Sequence, residues 1–436
     1  LPESANLVKA AIARLVTGTL TSPRLRTAQR RVQAWRRSFS GAPAMLHYFH
    51  DAADPYSHLT AQMLAAIAAR YRAALVPHLV TPPDAAAAPD AARLAAWSRR
   101  DAAQLARARG LDMPEIPAPP PAADIASLNA VLTAAIATGT FPETAIAGGA
   151  ALWRGAAAAT LQARPAATPE ETAAALAEGD ALRAKLRHYL GATFHFEGEW
   201  YWGIDRLHHL EARLAAQGLD TQPGAPMLMP ARDITLAGPQ GAAAGRVLHM
   251  FPSFRSPYTY IALPRARALA AHYGAELRLR FVLPMVMRGL HVPGPKRIYI
   301  MLDTKREAER LGLPFGKIVD PVGVGVERGL AVLHHAIPAG KGADFALSFL
   351  QGAFADGIDA TTDAGLHQMA ARAGLDAAFV TAALADPSWR ATAEANREEM
   401  LAAGLWGVPS FRVDAGEMVW GQDRLWVIEE ELSKGK

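Results

Sequence analysis

FRSPYTYIALPRARAL, Phe254 to Leu269, sets an arginine, a serine and a proline between a short hydrophobic run and a segment with helical spacing. A proline suits the first turn of a helix, where its fixed φ is already right and its missing N–H costs nothing. A serine just before it is a helix cap, because its hydroxyl accepts a hydrogen bond from the early amides. The stretch thus reads as a buried strand, RVLHMF, turning abruptly into a helix that starts at Pro257.

The same phrase occurs earlier in the chain. HYFHDAADPYSHLTAQML begins at His47 and HMFPSFRSPYTYIALPRA at His249, a shift of 202 positions that brings Asp54 onto Ser256, Pro55 onto Pro257, Tyr56 onto Tyr258 and Ser57 onto Thr259. The register still holds at Asp101 on Asp303 and Gly110 on Gly312. The closing segments match too, YWGIDRLHHLEARL from Tyr201 against VWGQDRLWVIEEEL from Val419, at a shift of 218. Internal duplication accounts for this. It predicts a domain over 43–215, a Gly- and Pro-rich linker over 216–244 and a second domain over 245–436, with residues 1–42 forming helices packed on the first domain.

Composition narrows the function classes. The 436 residues are 51% hydrophobic and 20% charged, enough for two cores. With 45 basic against 41 acidic residues there is no basic excess of the kind nucleic acid demands. Only SPRLRTAQRRVQAWRRSF, Ser22 to Phe39, comes near one, and it reads as a solvated helix face with apolar residues on its other side; contact with nucleic acid or an anionic membrane is the lesser alternative. Neither nucleic acid nor a membrane is expected as a partner. The absence of cysteine excludes disulfides and dithiol exchange by the chain itself. Together with the lack of a basic leader, it favours a cytoplasmic setting. The fourteen histidines form no His-Glu-x-x-His pattern, so no metal site is expected. Dinucleotide and nucleophile-elbow glycine motifs are missing as well.

In the second copy, ELRLRFVLPMV from Glu276 reads as a strand, and Pro295 to Val380 is mostly helical. GVPSFRVDAGEMVWG from Gly407 reads as a hairpin turning at Ala415-Gly416, and a last helix follows from Asp423. Strand, helix, strand, helical insertion, hairpin, helix is an α/β arrangement of thioredoxin type. Two such domains in tandem are predicted, each with an all-helical insertion. The layout brings Ser256 face to face with Val408-Pro409. Pro409 opens a strand without an N–H to give, so it belongs at an edge or bend. A cis bond there lets Val408 offer its backbone to an extended peptide-like ligand.

FRSPYTY, PGPKRIYIMLD, GVPSF and WGQDRL together resemble the DsbA-related branch of thioredoxin folds that holds 2-hydroxychromene-2-carboxylate isomerases and kappa-class glutathione transferases. The resemblance implies glutathione as cofactor. In that case Ser256 faces its sulfur, Val408 pairs with its cysteinyl backbone and Asp423 accepts its γ-glutamyl ammonium, with Pro409 and Gln422 also among the cofactor-binding residues. Lys296, beside Arg297, lies where the family places a lysine near substrate. The implied activity is isomerisation of, or transfer to, a small hydrophobic or aromatic electrophile. The alternative is a non-catalytic scaffold that binds a peptide or protein partner.

Departures from the family are visible. VLPMVMRGL replaces a segment that often carries an asparagine, and Arg255 stands where a bulky apolar residue is common, either to meet a carboxylate or to block the pocket. In the first copy Asp54 replaces the serine, and a carboxylate repels a thiolate. Ala192-Thr193 falls near the place of Val408-Pro409, without the proline. This copy is expected to be a degenerate, non-catalytic domain that packs against its twin, and a homodimer is left open.

Overall fold

The structure is a computed structural model that describes residues 3–114 and 118–435, with the side chains of residues 8 onward, and every statement below concerns those residues. Two helices come first, α1 (Glu3–Leu20) and α2 (Pro23–Ser40). Then follow β1 (Met45–His50), α3 (Pro55–Arg70), β2 (Ala74–Leu79) and an insertion of α4 (Ala91–Arg109), α5 (Ala122–Thr138), α6 (Phe141–Trp153), α7 (Ala157–Leu161) and α8 (Pro169–Lys185). The hairpin β3 (Thr193–Phe196) and β4 (Glu199–Trp202) and the helix α9 (Leu207–Ala216) close the first pattern.

The pattern then repeats. β5 (Val247–Phe251), α10 (Pro257–Tyr273) and β6 (Glu276–Leu279) lead into α11 (Gly294–Arg310), α12 (Val324–Ala336), α13 (Gly342–Phe354), α14 (Asp363–Arg372), α15 (Ala377–Ala385) and α16 (Trp389–Ala402). β7 (Ser410–Val413), β8 (Val419–Trp420) and α17 (Leu425–Ser433) complete it. The sheet orders are β2-β1-β3-β4 and β6-β5-β7-β8. In each, the first two strands run parallel, as a helical crossover requires, and the hairpin is antiparallel. These are two tandem thioredoxin-like folds with helical insertions.

The chain divides into two compact units. An amino-terminal unit comprises Ala28–Ala231 and Pro293–Tyr299; a carboxy-terminal unit comprises Arg232–Val292, Ile300 onward and the residues up to Thr27. The expectation that residues 1–42 all pack on the first domain needs correction here. Helix α1 is held in the carboxy-terminal unit, where Thr17 Oγ1 accepts from the Ile318 amide at 2.9 Å and Thr21 lies against Gly316. The 216–244 segment is also shared between the units. Asp220 clamps Arg70 through both oxygens, at 3.1 and 3.0 Å, on the amino-terminal side. Asp233 joins Arg265 at 3.0 Å and Arg310 at 2.9 Å on the carboxy-terminal side. Such pairs hold a glycine- and proline-rich stretch in place without secondary structure.

Two local readings change. The ELRLRFVLPMV strand ends at Leu279, although the Arg280 and Val282 amides still reach the carbonyls of Met250 and Pro252, at 2.8 and 3.1 Å. Pro284 has no N–H to continue the ladder, and a 3-10 turn, Met285–Arg288, takes over. In the amino-terminal sheet Phe49 pairs with Thr193, as Phe251 pairs with Ser410 in the other. Ala192 therefore stands at the place of Pro409, and Gly191 at that of Val408.

Candidate active site

Ser256 caps α10 as its sequence predicts, with Oγ accepting from the Thr259 amide at 3.1 Å. Because that bond uses an oxygen lone pair, the hydroxyl proton is still available to donate. The loop before it is held from both sides. Phe254 is fully buried and stacks on Phe349 at 4.1 Å between ring centres, where Gly329 leaves the room for both rings. Arg255 forms a fork-to-fork pair with Asp320, with nitrogen–oxygen distances of 2.7 to 3.0 Å. Ser253 is 1% exposed and its Oγ has no hydrogen-bond partner in the structure. An orphaned buried hydroxyl beside a helix start is a group with an unused bond.

Pairing of Phe251 with Ser410 puts the end of β5 and the start of β7 at one edge of the sheet. The loop carrying Ser256 and the segment carrying Val408 leave from that edge. The Val408–Pro409 peptide is cis. Ser410 Oγ donates to the Gly407 carbonyl at 2.8 Å, and the Gly421 amide donates to the Pro409 carbonyl at 2.9 Å, which ties the segment to the turn before Gln422 and Asp423. Gly407 permits this path, since a Cβ there would lie 2.2 Å from the Trp420 ring. Val408 itself is half-buried.

Gln422 and Asp423 open a 3-10 turn, Gln422–Arg424, ahead of α17. Gln422 is 1% exposed and its amide group is already engaged. Its Oε1 accepts from Arg265, and its Nε2 donates to Glu307 at 3.3 Å and to Asp423 Oδ1. Arg265 is in turn anchored on Asp233, so the Asp423 carboxylate is oriented by a chain of polar groups that runs through the buried Gln422 amide. Lys296 belongs to the amino-terminal unit, whereas Ser256, Val408, Pro409, Gln422 and Asp423 belong to the other. Its Nζ donates to the Ala87 carbonyl at 2.8 Å and lies 5.8 Å from the Tyr189 ring centre, and burial lowers its pKa.

One residue near the edge escaped sequence reasoning. Arg288, at the end of the 3-10 turn after β6, donates to the Trp406 carbonyl at 3.3 Å, just ahead of Val408. Its Nε is buried without a hydrogen-bond partner, and burial, with the nearby Arg397 charge, lowers its pKa. The sequence signal was only a lone cation in the aperiodic stretch VLPMVMRGL. Nearby, Asn396 from α16 donates to the Phe281 carbonyl at 3.0 Å, so a buried amide reaches this stretch from more than a hundred residues away.

The amino-terminal unit builds the corresponding edge differently. Tyr56 donates to Asp101 at 2.7 Å just as Tyr258 donates to Asp303 at 2.7 Å, and the Gly203 amide meets the Ala192 carbonyl at 2.7 Å. But Asp54 caps α3, and Asp51 lies behind it, its backbone amide on Ser57 Oγ at 3.1 Å. A Cβ on Gly191 would lie 2.6 Å from that of Asp51, so the residue in Val408's place is packed directly on a carboxyl-bearing side chain.

A search of curated proteins finds no match. Among solved structures, a 2-hydroxychromene-2-carboxylate isomerase is 20% identical over 43% of this chain and 95% of its own, with a TM-score of 0.36. The cytosolic disulfide reductase DsbM from Pseudomonas aeruginosa is 22% identical over 43% of this chain and 95% of its own, with a TM-score of 0.35. A second structure of that reductase, solved with GSH, is 20% identical over 43% of this chain and 96% of its own, with a TM-score of 0.32. Residues 247–433, the stretch that carries Ser256, the cis Val408–Pro409 bond and Asp423, match the family described as the DSBA-like thioredoxin domain.

Proposed function

We propose that the carboxy-terminal unit is a glutathione-dependent isomerase or transferase acting on a hydrophobic or aromatic electrophile, in the manner of a 2-hydroxychromene-2-carboxylate isomerase. The observation that carries this reading is a free hydroxyl proton at the start of α10, on the same sheet edge as Val408 and Pro409, in a chain without cysteine. The residues present fit the thiol ligand. Ser256 Oγ, at the positive amino-terminal end of α10, favours an anionic sulfur. Ser253 Oγ is an unused polar group beside them. Val408 offers backbone at the edge, and Asp423 offers a carboxylate for an ammonium.

When bound, glutathione supplies a thiolate whose addition to a conjugated carbonyl turns a rigid double bond into a rotatable one, with elimination restoring it. Ser256 would hold that sulfur as the anion by donating a hydrogen bond from its hydroxyl, and the Thr259 amide keeps the oxygen aimed. Gln422 acts on the ligand through Asp423, because its own amide is spent on Arg265, Glu307 and Asp423. Arg288 is the cation we place for a substrate carboxylate, because it is tied to the segment just ahead of Val408 and keeps a buried Nε without a partner, whereas Lys296 belongs to the amino-terminal unit and is bonded to Ala87 there. The amino-terminal unit, as the other product of a duplication, binds no thiol: Asp54 replaces the hydroxyl and Gly191 is packed on Asp51.

Calorimetry with glutathione tests the reading. Binding by the intact chain, weakened at least about tenfold in Ser256→Ala with a higher pKa of the bound thiol, is the expected result. No heat at millimolar glutathione would remove the thiol mechanism and leave a scaffold that binds a peptide or protein partner.

A further inference from the structure

Helix α2, which from Ala28 onward belongs to the amino-terminal unit, is held by its charged side. Arg30 forms a bidentate pair with Glu199 at 2.6 and 2.7 Å, and Arg37 pairs with Glu197 and reaches Gln217 at 3.1 Å. Positions 26, 30, 33, 34 and 37 are the half-buried ones, a single face at helical spacing, and no residue of the helix is fully buried. The apolar residues Leu25, Ala28, Val32, Trp35 and Phe39 therefore form the opposite face, which is turned outward. Val32 is 46% exposed, Trp35 65% and Phe39 82%, and the last two stack at 5.6 Å. A solvated charged face with a packed apolar one was expected from the sequence; the structure reverses it.

We propose that this outward face of α2 docks on an anionic lipid surface. The helix carries six arginines and no acidic residue between Pro23 and Ser40. Three of the arginines are spent in ion pairs, Arg26 on Glu309 at 2.6 Å and Arg30 and Arg37 as above, whereas Arg24, Arg31 and Arg36 are exposed, border the apolar stripe and make no ion pair among the described residues. An apolar strip with tryptophan and phenylalanine, rimmed by cations, matches the boundary between acyl chains and phosphates. A second copy of the chain fits less well, because pairing two such faces sets arginine against arginine with no carboxylate on either helix to answer it. Nucleic acid would use the cations but gain little from Val32 and Phe39.

The proposal rests on α2 alone and is independent of the glutathione reading. Its test is sedimentation of the full chain with vesicles of phosphatidylcholine containing phosphatidylglycerol, and with phosphatidylcholine alone. Binding to the anionic vesicles only is expected. Arg31→Gln with Arg36→Gln should lower partitioning about 30-fold, and Trp35→Ala with Phe39→Ala at least about tenfold. Both pairs are exposed, so unchanged circular dichroism and melting should accompany the loss. The proposal is overturned if neither vesicle binds, if both bind alike, or if the variants bind as the parent does. It is equally overturned if Trp35→Ala with Phe39→Ala dissolves a dimer on gel filtration in place of vesicle binding, or if duplex DNA is the ligand lost in the arginine variant.

Discussion

Phe254→Ala is expected to destabilise the carboxy-terminal unit by about 3–5 kcal/mol, because it removes a fully buried ring and leaves a cavity that its neighbours fill only in part. In a unit of this size that corresponds to a fall in melting temperature of about 6–20 °C, read by calorimetry. The ring's stacking partner, Phe349, belongs to the helical insertion, so the loss falls on the contact that ties the Ser256 loop to that insertion. Arg255 remains on Asp320 in the variant, holding the loop by one side only. Glutathione affinity should therefore fall as well. Ser256→Ala should instead lose affinity while costing only about 1 kcal/mol of stability, the ordinary value of a helix cap. A Phe254→Ala protein that melts within 2–3 °C of the parent, about 1 kcal/mol, would show that the stack does not anchor the loop.

What could be read from the sequence was what neighbouring residues encode together. Ser256 before Pro257 is a cap before a helix start, and Pro409 at a strand opening is an edge residue; both statements involve only local backbone chemistry, and both elements stand where the pattern puts them. The repeated layout was legible because residues recur in register, Pro55-Tyr56 against Pro257-Tyr258 and WGIDRL against WGQDRL, along with the strand and helix periods. Gln422 was legible only as a name in a motif. That its amide is consumed depends on Arg265 and Glu307, brought from α10 and α11, and no local rule announces them. Arg288 lacked any periodic context. In the amino-terminal hairpin the sequence places Ala192-Thr193 only near the position of Val408-Pro409, and strand pairing sets Gly191 and Ala192 there. Helix α2 failed in another way: its spacing fixes which residues share a face but not which face meets the protein, and Glu197 and Glu199, at the β3–β4 hairpin, decide that.

Those same physical differences make the amino-terminal unit the place where pH should act on stability. Burial, and then the neighbouring Asp54 charge, raise the pKa of Asp51 to about 8, and burial raises that of Asp54 to about 7. In the unfolded chain both lose their protons near pH 4. Between about pH 4 and pH 8 the folded state thus holds more protons than the unfolded one, and stability falls as pH rises through that window. The stability contributed by a neutral Asp51 is complete below pH 4 and is lost as pH climbs to its folded value. Asp51→Asn keeps the shape and the acceptor for the Ala53 amide, at 2.9 Å, while removing the charge that the buried site resists. At pH 8 it should stabilise the unit by about 2–4 kcal/mol, or about 5–10 °C in melting temperature, and at pH 4 it should change little. Melting curves of both proteins across this range check the sign directly. A parent that grows more stable from pH 4 to pH 8, or an Asn variant with the parent's slope, would mean that Asp51 ionises freely in the fold, and that the edge matching the Ser256 site is open to water after all.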